Sequence, residues 1–274
     1  MRWLLGTFFA ASIGLACSVL TSLDQLAPTG DAGGDAFTRA DAEPRVDSSS
    51  RDAGGVDAAP YVFVDDFNRV APDAGGLGKD WVSKNVSFEL TNDTVSRLVT
   101  NSNEYLDNIQ TRPSSERVRD VEVSIELTLP TVAPCSPQIH ARVDTTTLPL
   151  ANTLDSYIFY LDNDGTYTHW VIGRQHGGQQ TPDTIDKLSA SSAIQSGIAL
   201  RLTLRVQGVN PVSLFASIEQ KLNATWQMLG TVTTTDATGL ALTNAGVVGF
   251  GAGKGTGYEL TGEYFYDNFS AMGL

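Results

Sequence analysis

The chain has little of what metal, redox and nucleic-acid chemistry require. Its 274 residues include 2 cysteines, Cys17 and Cys135, and 3 histidines, His140, His169 and His176. Neither set has the spacing of a zinc site, and two cysteines cannot build a cysteine cluster, so a zinc enzyme or zinc-finger module is excluded. Cations are scarce as well: 18 Lys and Arg face 31 Asp and Glu, for a net charge of -13. A nucleic-acid partner is excluded on that balance, because such binding depends on Lys and Arg displacing condensed counterions. Long apolar runs are also missing. The one marked run, from Trp3 to Ala16, is shorter than the roughly 20 residues a membrane-crossing helix needs. Nor does any stretch combine a helical period with caps, which argues against helical and parallel α/β folds.

What is present begins with that run. A single cation, Arg2, precedes it and small residues end it at Cys17, the layout of a secretory signal. Gly14-Leu15-Ala16-Cys17 resembles the end of a bacterial lipoprotein signal, with Gly14 standing where leucine is usual. The resemblance implies that Cys17 is lipidated and becomes the mature N-terminus of an exported lipoprotein. Its partner is then the membrane, each buried acyl methylene contributing about 0.8 kcal/mol. Ser18 rather than Asp after the cysteine is compatible with the bacterial outer membrane or cell surface. The alternative is an ordinary secretory signal cleaved nearby, which exports the protein without the anchor. With Cys17 acylated, Cys135 has no internal partner and no disulfide forms.

Residues 18–60 turn to Asp, Ala, Gly and Ser, as in Gly30-Asp31-Ala32-Gly33-Gly34-Asp35 and Asp52-Ala53-Gly54-Gly55. Such a segment buries too little apolar surface to offset chain entropy, so a disordered acidic spacer is expected. From residue 61 to 274 the pattern becomes short alternating segments. Asp120 to Leu127, Leu200 to Val206 and Val212 to Glu219 each put aliphatic side chains on one face and polar ones on the other, the signature of half-buried strands. Gly208-Val209-Asn210-Pro211 and Asp162-Asn163-Asp164-Gly165 read as turns between paired strands. The expectation is an all-β domain, an antiparallel sandwich or jelly roll of two sheets.

This domain opens with Phe63-Val64-Asp65-Asp66-Phe67-Asn68-Arg69, continues through Gly76-Leu77-Gly78-Lys79-Asp80-Trp81, and closes with Tyr264-Phe265-Tyr266-Asp267-Asn268-Phe269-Ser270. Those bookends resemble the concanavalin A-like lectin/glucanase superfamily, in particular its laminin-G-like bacterial modules. The resemblance runs from about Tyr61 to Leu274 and implies a jelly roll that serves as lectin, glycosidase or adhesive domain; one architecture carries many functions. It also implies that the first and last strands lie side by side, with Phe67 and Phe269 in the core.

Three candidate sets follow. Asp65, Asp66, Asp267 and Asn268 would meet at the rim and offer oxygens to a structural calcium ion; the competing role is to accept hydrogen bonds from backbone and Arg69 at strand ends. Asp120, Glu122 and Glu126 share one face of a strand, about 7 Å between neighbours, and laminarinase-like relatives carry catalytic carboxylates in such an alternation. Ser124 stands where that motif has its central aspartate, so a soluble sheet face is the competing reading. His140, Arg142, Tyr160, Trp170 and Arg174 would line the concave sheet face as a sugar site, an aromatic ring flanked by planar hydrogen-bonding groups; the competing reading puts Trp170 and Tyr160 in the core. Trp81 and Trp226 are expected in the core. The leading expectation is a membrane-anchored, non-catalytic module that recognises a glycan or an envelope protein. The alternatives are a glycoside hydrolase or lyase, and a purely structural envelope lipoprotein.

Overall fold

A computed structural model describes residues 60–69, 77–84, 88–91, 94–100, 109–128, 136–145, 154–163, 168–177, 182–189, 197–253 and 261–274. The signal segment with Cys17, the spacer up to residue 59, Cys135 and the turn at 164–167 lie outside the described residues. In chain order the strands are β1 (Val62–Asp65), β2 (Val82–Lys84), β3 (Glu89–Thr91), β4 (Thr94–Thr100), β5 (Ile109–Thr111), β6 (Val121–Thr128), β7 (Ser136–Val143) and β8 (Ser156–Asn163). They continue with β9 (Thr168–Gln175), β10 (Asp183–Ser189), β11 (Ala199–Gln207), β12 (Val212–Leu222), β13 (Thr225–Asp236), β14 (Val247–Gly253) and β15 (Thr261–Gly273). No α-helix occurs among the described residues.

The strands form two antiparallel sheets. One has eight strands in the order β13-β12-β11-β6-β15-β4-β3, with β1 also paired to β15; the other has seven, in the order β10-β9-β8-β7-β14-β5-β2. The alternation legible in the sequence is what lets them stack. Along β6, Val121, Val123, Ile125 and Leu127 are buried while Glu122, Ser124 and Glu126 alternate outward. Leu200, Leu202, Leu204 and Val206 of β11 turn inward in register with them. Facing them from the seven-stranded sheet are Ile139, Ala141, Tyr157, Phe159, Leu161, Trp170, Ile172 and Phe250. Each large side chain removed from water there contributes about 1.5–3 kcal/mol.

The bookends behave as expected. β1 pairs with the end of β15, Asp65 opposite Phe269, and Phe67 and Phe269 are fully buried. Trp81 joins them, its ring centroid 5.0 Å from those of both Phe250 and Phe269, edge to face, the arrangement that ring quadrupoles favour.

Two irregularities re-aim side chains. The β7–β14 register shifts between Val247 and Gly249, and Arg142 has φ 53°. The resulting bulge turns Arg142 to the end of the sandwich and Val143 to the outer face, since a slip of one residue exchanges the faces of a strand. In β15 a second shift between Asp267 and Ser270 accompanies Asn268 at φ 48°.

Candidate functional site

Both faces of β7, β8 and β9 are buried, and strict alternation decides which side chain goes where. Phe159, Leu161, Trp170 and Ile172 point between the sheets. Ile158, Tyr160 and Val171 point the other way and form a separate apolar cluster with Val143, Leu154 and Val247. Beside that cluster, on the same outer face, run polar side chains: Gln138 lies opposite Tyr160, His140 opposite Ile158, and Ser156 opposite Gln175. The neighbouring strand presents Gly249 and Gly251 to His140 and Gln138, placing no side chain between them.

These polar groups are linked. Gln138 Nε2 lies 3.5 Å from Ser136 Oγ, Gln138 Oε1 3.2 Å from His140 Nε2, and His140 Nδ1 3.2 Å from Ser156 Oγ. The Gln138 amide donates to Ser136 and its carbonyl oxygen faces His140 Nε2. His140 thus links Gln138 on one ring nitrogen to Ser156 on the other, its donor and acceptor roles set by the tautomer. Ser136, Gln138, His140 and Ser156 all have 0% exposure, and in such surroundings linked hydrogen bonds are stronger and fix orientation.

Of the five residues expected to bind sugar, His140 and Tyr160 share this face and three do not. Trp170 is a core residue, 1% exposed, its ring 5.8 Å from that of Phe159. Its even position on β9 places it inside. Arg142 is carried away by the bulge and staples the sandwich end: it donates to the carbonyls of Arg119 (2.7 Å), Leu242 (2.6 Å) and Gly208 (2.7 Å), and to Asp120 (3.2 Å). Arg174 lies between the sheets and donates to Asp236 at 2.7 Å, an acceptor that Tyr157 also reaches at 3.0 Å. Burial would raise the Asp236 pKa, but bonds from Thr238, Arg174 and Tyr157 hold it below the usual carboxylate range. A ligand that took Arg174 would leave Asp236 buried and unpaired, at about 3–5 kcal/mol. Arg174 is therefore structural.

The calcium set also divides. Asp65 is committed: Trp81 Nε1 donates to it at 2.7 Å, the Phe67 N–H at 2.8 Å, and Arg69 grips both oxygens. Its expected metal role gives way to the role of hydrogen-bond acceptor, because no lone pair faces outward in that cradle. Asp66 accepts from the Asn68 N–H and Asp267 from the Asn268 N–H. Burial pushes the Asp267 carboxyl above its ordinary value, and the charges of Glu126 and Asp66 push further. Among the described residues no group of three or more His, Cys, Asp or Glu is disposed to hold a metal ion.

The carboxylates of β6 sit on the outer face of the eight-stranded sheet, each against an arginine of β11: Glu122 pairs with Arg205 and Glu126 with Arg201 at 2.8 Å, while Asp120, just before β6, pairs with Arg142 at the sandwich end. The β6 pairs are a cross-strand ladder, in register along β6 and β11, rather than two carboxyl groups presented to a cleft. The same face holds a residue the sequence reading misplaced. Trp226 is partly exposed, with the Arg201 guanidinium 4.0 Å from its ring centroid and Lys221 Nζ 5.4 Å away. Its register opposite the charged Lys221 on β12 was the signal that it faces outward.

No family model and no curated protein matches this sequence. Solved structures do resemble the chain. Lectin II from Ulex europaeus matches at 10% identity and TM-score 0.48, over 78% of this chain and 99% of the lectin. The Bacillus licheniformis β-glucanase matches at 10% and 0.49, over 79% and 100%. A xylan β-1,4-xylosidase from Bacillus halodurans C-125 matches at 16% and 0.46, over 76% of this chain, which spans 38% of that enzyme. At such identities and TM-scores the likeness carries no argument, and the strand order of the two sheets establishes by itself that this chain is an antiparallel β-sandwich.

Proposed function

We propose that the protein is an exported lipoprotein whose sandwich binds a glycan without transforming it, at the outer face of the seven-stranded sheet. The observation that carries this reading is the linked row Ser136, Gln138, His140 and Ser156 beside Tyr160. Burying polar groups costs free energy unless they are paired, and an outer sheet face can be furnished more simply with solvated side chains, as on β6. The row is closed in this structure, its four polar side chains at 0% exposure and Tyr160 at 3%, so the reading requires that this face open for hydroxyl, amide and imidazole groups beside an aromatic ring to meet the hydroxyls and apolar face of a pyranose. The β6 carboxylates, engaged with Arg201 and Arg205 on the opposite sheet, favour binding over hydrolysis. The anchor rests on Cys17 and the apolar run before it.

Two measurements test the reading on the mature full-length protein. Glycan-array binding should be retained by Glu122→Gln and weakened in His140→Ala and Gln138→Ala variants whose melting temperatures stay near the wild type; equal binding by the folded variants refutes the site. Mass spectrometry of the mature N-terminus should find acyl chains on Cys17, and a free N-terminus elsewhere refutes the anchor.

A further inference from the structure

The eight-stranded sheet carries a second candidate on its solvent-facing side. Tryptophans on a solvated sheet face are out of place unless something covers them. Trp226 stands at the start of β13, beyond the two-residue turn Asn223-Ala224, and packs on a guanidinium rather than on the core. Arg201 is itself held flat. It donates to Glu126 at 2.8 Å from one side and reaches Glu219 at 3.5 Å from the other, while Asn268 Nδ2 fixes the remaining Glu126 oxygen at 3.0 Å. The ring thus rests on a rigid, hydrogen-bonded base, which lowers the ordering cost of anything that stacks on it. Alongside lie the hydroxyls of Thr203 and Ser124, 3.4 Å apart. Beyond them the same arrangement repeats: Arg205 pairs with Glu122 and lies 5.5 Å from the Phe215 ring centroid. The two arginines are four residues apart on one strand, about 13 Å.

We propose that Trp226, with Arg201, Glu126 and Asn268, is a second glycan platform, separate from the row on the opposite sheet and selective for neutral sugars. An aromatic plane bordered by planar donors and acceptors is what a pyranose ring requires. The selectivity follows from charge. Arg201 and Arg205 are neutralised by their glutamates, while Glu219, Asp66 and Asp267 outnumber the one further cation, Lys221, whose Nζ lies 5.4 Å from the Trp226 ring, on a chain of net -13. A uronate or sulfated glycan would bring its charge into that field, and like charges disfavour the contact; a neutral glycan supplies only hydroxyl donors, which the carboxylates accept. Two platforms on opposite faces would let one anchored molecule bridge two chains and bind with an avidity above either site alone. The proposal shares the ligand class of the preceding section and goes beyond it in place and selectivity.

Tryptophan fluorescence of the mature full-length protein tests it, since Trp81 and Trp170 are buried and Trp226 is partly exposed. Neutral hexasaccharides of β-glucan and xylan, and oligogalacturonate as the acidic counterpart, are titrated with acrylamide as quencher. The expected result is that a neutral hexasaccharide shields the emission from quenching and oligogalacturonate does not. Trp226→Ala should weaken neutral-glycan affinity at least tenfold by calorimetry with an unaltered far-ultraviolet spectrum. Arg201→Lys, which keeps the charge but loses the planar base, should weaken it too. Undiminished binding in both variants overturns the platform while leaving the opposite face as the site. A preference for oligogalacturonate that disappears in Trp226→Ala overturns the selectivity, and no binding of any glycan by the wild type overturns this proposal together with the glycan reading.

Discussion

Trp81 Nε1 donates to Asp65 Oδ2 at 2.7 Å, so the first strand of the sandwich is tied to the aromatic cluster that the last strand completes. Burial would raise the Asp65 pKa, yet the bonds from Arg69, Trp81 and the Phe67 N–H, with the Arg69 charge, hold it below the usual value. A carboxylate depressed in the folded state stabilises the protein above its unfolded pKa, and that contribution is lost as pH falls through the folded pKa. Asp65→Ala should cost about 2 kcal/mol at pH 7, the scale of losing charge-assisted bonds, with the Arg69 share small because that side chain is 35% exposed and screened by solvent. Urea denaturation measured across pH should show the gap between wild type and variant closing toward acid.

Asp267 carries the opposite sign. Its carboxyl is pushed up by burial first and by Glu126 and Asp66 next, against the Asn268 N–H and Lys221. A raised folded pKa means that stability falls as pH climbs from the unfolded value, about 3.9, through the folded one. Asp267→Asn keeps an acceptor for the Asn268 N–H and removes the charge, so it should raise the melting temperature at pH 7 and change nothing below about pH 3. The gain should be the same with calcium and with chelator, because Asp65 is already engaged by Arg69 and Trp81. A calcium-dependent loss on the same substitution would restore a metal at this rim.

Much of the architecture was legible because period-two alternation is a local signal. β6, β11 and β12 fall where Val121, Leu202 and Leu214 alternate with polar neighbours, and the paired bookends follow from Phe67 and Phe269 needing one core. The site was less legible for the same reason. Alternation says that His140 and Arg142 share a face, but a single bulge, seen in the register shift against β14 and in φ 53° at Arg142, separates them. On β8 and β9 both faces are buried, so the sequence shows apolar and aromatic residues at odd and even positions alike. Nothing local then tells Tyr160, outside, from Trp170, inside. Trp226 was misplaced because size argues for burial, whereas its partners Lys221 and Arg201 come from neighbouring strands.

The close of the sandwich end rests on a missing side chain. A Cβ on Gly246 would overlap the carbonyl carbon of Arg142 and come within 2.7 Å of its Cα and O. Arg142 cannot retreat, since its guanidinium is fixed to three backbone carbonyls. Gly246→Ala should therefore cost about 1–3 kcal/mol, as overpacking does. At Gly239 a Cβ would meet nothing within 4 Å, and Gly239→Ala should stay within about 0.5 kcal/mol of the wild type. Equal midpoints for the two variants in urea would contradict the clamp at Arg142.

The turn between β12 and β13 offers a gain. Leu222 and Thr225 pair across two residues, Asn223 at φ 50° and Ala224 at φ 64°; positive φ at both is the requirement of a type I′ hairpin. Asparagine tolerates that region, but an alanine there costs roughly 1–2 kcal/mol from Cβ crowding. Glycine removes the crowding and returns part of the benefit, roughly 0.5–1 kcal/mol, as extra freedom of the unfolded chain. Ala224→Gly should thus raise stability by about 0.5 kcal/mol, read as a higher urea midpoint at unchanged slope. Ala224→Pro, whose ring fixes φ near -65°, should destabilise the hairpin and release Trp226 from Arg201, increasing acrylamide quenching of its fluorescence. If proline were accepted without loss, the strained turn described here would be wrong.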